Sequence, residues 1–396
     1  MVVDDIKRFG QQMWMHRPLR IGVPGSNVGE MGPLQGVRVV EMAGLAPAPF
    51  GCMVLADLGA EVLRIERGGS RGEGLIPPDG PLDRGKRSLA LDVKDPGDLA
   101  KLHAVVDKAD VFVEGFRPGV AERLGIGPVE LTTRNPRLIY GRMTGWGQDG
   151  PLAANAGHDI NYIAVAGTLD LIGRAGERPL PPGNIIGDFA GGGMLLALGV
   201  IAALYERAQS GRGQVIDAAM LDGSALYTAF MHGLHDVGLW NEPRGENMLD
   251  GAAPFYDTYE CADGLFVAVG CVELPFFMQM LALLDIDDPE LPFQLDKTGW
   301  EELRGVIGAR FKERTRDEWA QTFAVSDACV TPVLSPWEAH EHPQNRARGT
   351  FVEVAGLRQP APAPRFSRTE LTVPRPHAKD QESVRDLLST WGVELS

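Results

Sequence analysis

Residues 36–65 read GVRVVEMAGLAPAPFGCMVLADLGAEVLRI, and their pattern decides the fold class. Valines dominate 37–43, as in a strand buried on both faces. Gly44 and two prolines then break the run. Apolar residues recur at helical spacing over 50–58, and Gly59 ends that helix before a second strand over 61–65. Strand, helix and strand in quick succession form a βαβ unit, whose two strands must lie parallel.

Working outward, further strands are predicted over 88–93, 110–114, 138–143 and 214–218, with helices over 97–108 and 191–209. Ser210-Gly211-Arg212-Gly213 stops the last helix, as glycine does just past a helix end. This alternation predicts an α/β fold with a large Rossmann-like parallel-sheet domain, which takes ligands at the carboxyl ends of its strands. The stretch 144–184 is loop-rich, with a short helix near 160–171, and a long helix follows over 221–239. After Arg244 the texture changes. Strands over 258–261 and 265–270 flank Ala262-Asp263-Gly264, which is hairpin chemistry. Helices over 274–284, 300–311 and 316–325 complete a smaller α+β domain. The expected organisation is an N-terminal extension (1–31), a large domain (32–220, completed by 345–396), a linker helix (221–249), the small domain (250–335), and a return linker with C-terminal segment (336–396). Within the last, 356–376 is a Pro-rich strap and 380–388 a closing helix.

The chain has 396 residues, enough for two or three domains, with 44% hydrophobic and 23% charged residues. Its net charge of −15 argues against general nucleic-acid binding and against attraction to an anionic membrane. An anionic ligand needs only a local group of cations. Cys52, Cys261, Cys271 and Cys329 form no C-x-x-C pair and read as free thiols in a reducing compartment. The most apolar run, 194–205, falls short of the roughly 20 residues of a membrane span and reads as a buried helix. No secretory signal and no S-K-L ending is visible, so a cytoplasmic protein is expected.

Four stretches bear on chemistry. The turn over 43–51 lacks a G-x-G-x-x-G pattern, and Pro47 and Pro49 have no N–H to cradle a pyrophosphate, so it reads as plain βα turn chemistry. Arg64, Arg67, Arg71, Arg84, Lys86, Arg87, Lys94, Arg117 and Arg123 gather cations in an acidic chain. Arg67, Lys94 and Arg117 follow predicted strands, where a phosphorylated nucleotide would need them. Beside Glu66, Glu73 and Asp83 the same residues also read as a solvated face. In Gly157-His158-Asp159-Ile160-Asn161-Tyr162, the histidine is either a near-neutral acid/base or a structural residue beside a loop. In the run from Asn184 to Gly193, Asp188 falls where a helix N-cap is expected. The three glycines after it would leave N–H groups and the positive dipole end open to a developing anion. Cap and catalytic carboxylate both remain open. The methionines suit either a soft acyl surface or core filling.

The motifs GPLQGVRVVE (32–41), LADLGAEV (55–62), EGFRPG (114–119), GWGQDGP (145–151), GQVID (213–217) and NMLDG (247–251) together resemble family III CoA-transferases. The resemblance runs from about 32 to 370. Within that superfamily His158 is similar to the residue of the alpha-methylacyl-CoA racemases; members that move CoA between carboxylates typically carry Tyr there. The resemblance implies interconversion of (R)- and (S)-2-methylacyl-CoA thioesters by a two-base 1,1-proton transfer through an enolate. His158 would take the proton of the (S) epimer and Asp188 that of the (R), with the Asp188 backbone N–H as oxyanion donor. Glu273 would orient His158, and Asp159 is a supporting carboxylate. No cofactor is implied, since CoA belongs to the substrate. The implied CoA contacts are Arg67, then Leu91, Asp92, Val93 and Lys94. Gly115, Phe116, Arg117 and Arg123 follow, and then Gly157, Ile160, Asn161 and Tyr162. The resemblance also implies an interlocked homodimer, each active site lying between the large domain of one subunit and the small domain of the other. Residues 1–31 have no counterpart. The alternatives are a family III CoA-transferase with Asp188 as nucleophile through an acyl anhydride, and a non-catalytic acyl-CoA binder. A nicotinamide dehydrogenase is opposed by the missing glycine fingerprint.

Overall fold

The computed structural model describes residues 32–67 and 80–394. The extension over 1–31 and Arg71 lie outside the described residues. The first strand is β1 (Arg38–Met42), followed by helix α1 (Pro47–Asp57), β2 (Glu61–Glu66) and β3 (Lys86–Ala90). Next come α2 (Pro96–Val106), β4 (Val111–Glu114), the short helices α3 (Val120–Arg123) and α4 (Pro128–Arg134), and β5 (Ile139–Thr144). Helices α5 (Asp159–Val165) and α6 (Leu195–Ser210) precede β6 (Val215–Ala219). The six strands form one parallel sheet in the order β3-β2-β1-β4-β5-β6. That is the doubly wound order, with its switch point between β1 and β4. The α/β expectation is met.

Both faces of the sheet are covered, which is why its strands read as nearly continuous apolar runs. On one face Val40, Leu63, Phe112 and Tyr140 pack with Leu102 and Val105 of α2 and with Leu387 and Leu388 of the C-terminal helix Gln381–Trp391. On the other, Val39, Val62, Val113 and Ile139 pack with Leu55 of α1 and Leu196 and Val200 of α6. Each such side chain contributes roughly 1.5–3 kcal/mol.

Several boundaries differ from the sequence reading. Helix α1 begins at Pro47 rather than at 50, because prolines are tolerated in a first turn whose N–H groups have no acceptor. Strand β3 starts at Lys86, not 88, and its lysine is itself buried. The Lys86 Nζ donates to Glu41 Oε2 (2.6 Å) and to the Pro49 carbonyl (2.9 Å), so a charged residue sits where the pattern expected an apolar one. The long helix begins as a π-helical segment, Ile185–Met194, and runs on as α6. The continuous stretch Ile185–Ser210 has 26 residues. By length and composition it could cross a membrane, so shortness does not set it apart from a span; only one side of it is buried. Leu196, Ala197, Val200 and Ala203 are buried against the sheet. The helix expected over 221–239 is two, α7 (Met220–Leu226) and α8 (Ala229–Asp236). The strap is partly paired. Leu357–Pro360 forms a hairpin with Phe351–Val354. Ala378 bonds both Ser88 N–H and the Lys86 carbonyl, closing the outer edge of β3.

The chain divides into two compact units. One holds the parallel sheet and comprises, of the described residues, 32–67, 80–169, Pro181–His232 and 342–394. The other comprises Asp170–Leu180 and Gly233–Glu341. In it, β7 (Tyr256–Glu260), β8 (Phe266–Gly270) and β9 (Val330–Pro332) form an antiparallel sheet in that order. Helices α9 (Leu274–Leu283), α10 (Trp300–Phe311) and α11 (Arg316–Phe323) cover it through Phe255, Trp300, Phe311 and Trp319. Arg174 bonds Asp257 at 2.7 Å and ties 170–180 to this unit.

Candidate active site

His158, Asp159 and Asp188 belong to the larger unit. His158 is the N-cap of α5, with an extended backbone. Its N–H donates to Asn161 Oδ1 (3.0 Å), and the Asn161 N–H donates to the His158 carbonyl (2.8 Å). The backbone under the imidazole is therefore fixed from both ends, while the ring stays exposed. Tyr162 anchors the same turn from below: its ring is buried, packs edge-on against Trp146, and its hydroxyl donates to the Gly157 carbonyl.

Asp188 sits in the π-helical segment, not at its cap; Asn184 takes the cap position. That corrects the expected N-cap role. π-Helical turns are rare and are found frequently at functional sites. Gly191, Gly192 and Gly193 are buried rather than open to solvent. A Cβ on Gly193 would lie 2.5 Å from the Pro47 carbonyl oxygen, so the glycine run serves close packing on α1. The carboxylate of Asp188 accepts from Asn184 Nδ2 at 3.0 Å. Its backbone N–H donates to Asp159 Oδ2 at 2.7 Å. The family resemblance offers this N–H to an enolate oxygen; here it is bonded to Asp159 instead. Asp159 is buried, and its Oδ1 has no hydrogen-bond partner among the described residues. A Cβ at 187 would lie 2.6 Å from Asp159 Oδ2, so a side chain there would push the Asp159 carboxylate aside.

Burial pushes the Asp188 carboxyl above the usual range. The Asn184 hydrogen bond opposes the shift, the neighbouring Asp159 charge adds to it, and a charge on His158 would lower it. Asp159 is also raised, by burial against the N–H groups of Asp188 and Gly187. The arrangement brings an imidazole within electrostatic reach of a carboxyl group able to hold or release a proton.

Most of the expected CoA positions lie along the carboxyl edge of the sheet. Arg67 directly follows β2 and is exposed. Leu91 is buried and its N–H bonds the Glu66 carbonyl at 2.9 Å. Asp92 Oδ1 accepts the Lys94 N–H at 3.1 Å in the turn toward α2, and Val93 is half-buried. Gly115, Phe116 and Arg117 follow β4 at the switch point, and Arg123 ends α3. Gly157 leads into α5, while Ile160 and Asn161 are exposed on its first turn. Glu273 belongs to the smaller unit, as the N-cap of α9. The sequence reading missed Asn184 as a partner of Asp188, although an amide four residues before a helical carboxylate is a readable signal. It also gave no role to Glu114 and Arg142. Among the described residues no group of three or more His, Cys, Asp or Glu is placed to hold a metal ion.

The family model of CoA-transferase family III matches residues 34–379. The alpha-methylacyl-CoA racemase of Mus musculus is 49% identical over 352 residues, covering 89% of this chain and 90% of the mouse protein. That of Homo sapiens is 48% identical over 338 residues, covering 85% and 87%. Among solved structures, a CAIB/BAIF family protein from Brucella suis matches with a TM-score of 0.79 at 26% identity, covering 91% of this chain and 100% of that one.

Proposed function

This chain belongs to CoA-transferase family III, and we infer that within the family it is a racemase, interconverting the (R) and (S) epimers of 2-methylacyl-CoA thioesters. The observation that carries this is the near-half identity to two racemases across most of the chain.

Epimerisation removes the α-proton from one face of the carbon and returns one to the other. The thioester carbonyl takes up the charge as an enolate. The chain must supply one base and one acid, on opposite sides of that carbon. We assign these roles to His158 and Asp188. In one direction His158 accepts the proton of the (S) epimer and Asp188 delivers one; in the other the roles reverse. A carboxyl group raised by burial suits this double duty, since it is a better acid donor near neutrality than an exposed one. Asn184 and Asp159 hold Asp188 by its side chain and its backbone. Glu273 is assigned to tuning His158. Arg67, Lys94, Arg117 and Arg123 are assigned to the CoA phosphates; all four are exposed cations. The active assembly is assigned as an interlocked homodimer. The four thiols are free, which suits a reducing cytoplasm.

The test is proton exchange without any acceptor acid. A single-epimer 2-methylacyl-CoA is incubated with the protein in deuterated water. Deuterium is expected at the α-carbon together with mixing of epimers. His158→Ala and Asp188→Asn should each lower the rate by about 10²–10⁴-fold while CoA still binds. Absence of exchange on several acyl chains, with CoA transfer to a free carboxylate and an acyl group trapped on Asp188, would replace the racemase by a transferase.

A further inference from the structure

The turn after β4 carries three of the proposed CoA positions, and a buried carboxylate beneath it sets its shape. Glu114, the last residue of β4, is fully buried. Its Oε2 accepts the Phe116 N–H at 2.6 Å, and its Oε1 accepts Arg142 Nε at 3.1 Å. Arg142 lies directly opposite on β5. It reaches on to Glu122 of α3, with Nη1 2.9 Å from Oε1. One guanidinium thus joins β4, β5 and the short helix that ends at Arg123. Proton transfer at the α-carbon uses none of these three side chains. A buried ion pair is seldom more stable than an apolar pair of similar size, so stability alone does not account for this one.

We propose that Glu114 is a positioning residue for the CoA-binding turn: held by Arg142, its carboxylate fixes the Phe116 N–H and so presents Gly115–Arg117 and Arg123 to the nucleotide. The proposal rests on the CoA reading given above. It assigns binding, not chemistry, to the Glu114–Arg142–Glu122 group.

A pH dependence follows. Burial pushes the Glu114 carboxyl up to about 7, against the Phe116 N–H and the Arg142 charge; the like charge of Glu122 pushes it the same way. The titratable and charged groups facing it are Arg142 and Tyr140 on β5 and Glu122 on α3. Asp217 of β6 flanks Arg142 on its far side. Above that pH the carboxylate is charged and grips the turn. Below it the group is a neutral acid and the grip loosens, so the KM for acyl-CoA should rise as pH falls through about 7.

The test measures free CoA affinity by calorimetry and racemisation kinetics between pH 5.5 and 8.5. It compares the wild-type protein, Glu114→Gln and Glu122→Gln. In Glu114→Gln, free-CoA Kd and acyl-CoA KM should both rise about tenfold at pH 8, with kcat within about twofold. The rise of KM at low pH should disappear. In Glu122→Gln the same rise should persist but move to lower pH, because one charge opposing ionisation of Glu114 is gone. This variant decides the matter if Glu114→Gln does not fold. A purely structural role would lower the active fraction and kcat while leaving KM and its pH profile unchanged. That outcome, CoA affinity within about twofold of wild type in Glu114→Gln, or an unmoved profile in Glu122→Gln, overturns the proposal. A wild-type protein that neither binds CoA nor exchanges the α-proton overturns the CoA reading, and this proposal with it. If the wild type does both and the variants do not differ from it, only this proposal fails.

Discussion

Asp188 is pulled in two directions, and the balance is testable. Burial and Asp159 favour its neutral form, while the Asn184 side chain donates to the carboxylate and favours the charged form. Removing that donor in Asn184→Ala should raise the Asp188 pKa further. For the (R) epimer Asp188 must begin deprotonated, so activity falls as pH drops through its pKa. The acidic limb of kcat/KM for the (R) epimer should therefore move to higher pH in the variant. An unmoved limb in a folded Asn184→Ala protein would mean that Asn184 does not tune Asp188. At this scale the chain shows candidate residues and hides their partners. The residue types alone leave His158 and Asp188 open between structural and catalytic roles, and only the family resemblance singles them out as a pair. The bond from the Asp188 N–H to Asp159 joins residues 29 apart in sequence, and only the π-helical turn brings them together. The sequence reading begins the helix at 191 and leaves Asp188 outside it as a cap, whereas the π-helical segment takes it in.

The elements were legible where apolar periodicity was strong and illegible where charge entered the core. Lys86 is the example. It is 1% exposed and Glu41 is 0% exposed, so the pair is sealed inside the sheet against α1. A pattern of alternating polarity cannot show a lysine facing inward, which is why β3 was read as starting too late. The second lysine bond, to the Pro49 carbonyl, ties β3 to the first turn of α1 and hence to the turn after β1. Lys86→Met removes the cation that hydrogen-bonds Glu41 and leaves this buried carboxylate with only the longer ion pair to Arg64, 3.9 Å away. The expected loss is about 3–5 kcal/mol in urea unfolding, and Glu41→Leu in the same chain should recover most of it. A single variant within about 1 kcal/mol of wild type would mean that water or another cation reaches Glu41. The π segment failed to read for a related reason. Its glycines look like an open helix end in sequence, but in space they let α1 and α7 approach: Gly191 meets Ser224 and Gly193 meets Pro47.

For the whole molecule, sequence order was enough to yield the parallel sheet. Each βαβ step is short and local, and its handedness leaves few arrangements. The boundaries of the two compact units were harder to see, because 170–180 belongs with residues far along the chain and is tied to them by Arg174 and Arg244. The same long-range character marks the proposed dimer. Met194, Leu198 and Tyr205 recur at helical spacing along one side of the long helix and are 46%, 61% and 73% exposed. Leu226 at the end of α7, Tyr227 just after it and Phe230 on α8 are also exposed. Exposed large apolar side chains at such spacing are what the proposed dimer interface would cover. A second copy of the chain is the partner assigned above. Sedimentation should therefore give about 86 kDa, twice the 42.8 kDa chain. Replacing Leu198 and Tyr205 together by Asp places charges on this side without touching the core residues Leu196, Val200 and Ala203. The double variant should sediment as a single chain and lose α-proton exchange, because the proposed active assembly is the dimer. A double variant that remains at twice the chain mass would remove this face from the interface. A wild-type chain sedimenting at 42.8 kDa with full exchange activity would remove the dimer itself, and the exposed residues would then need a different partner.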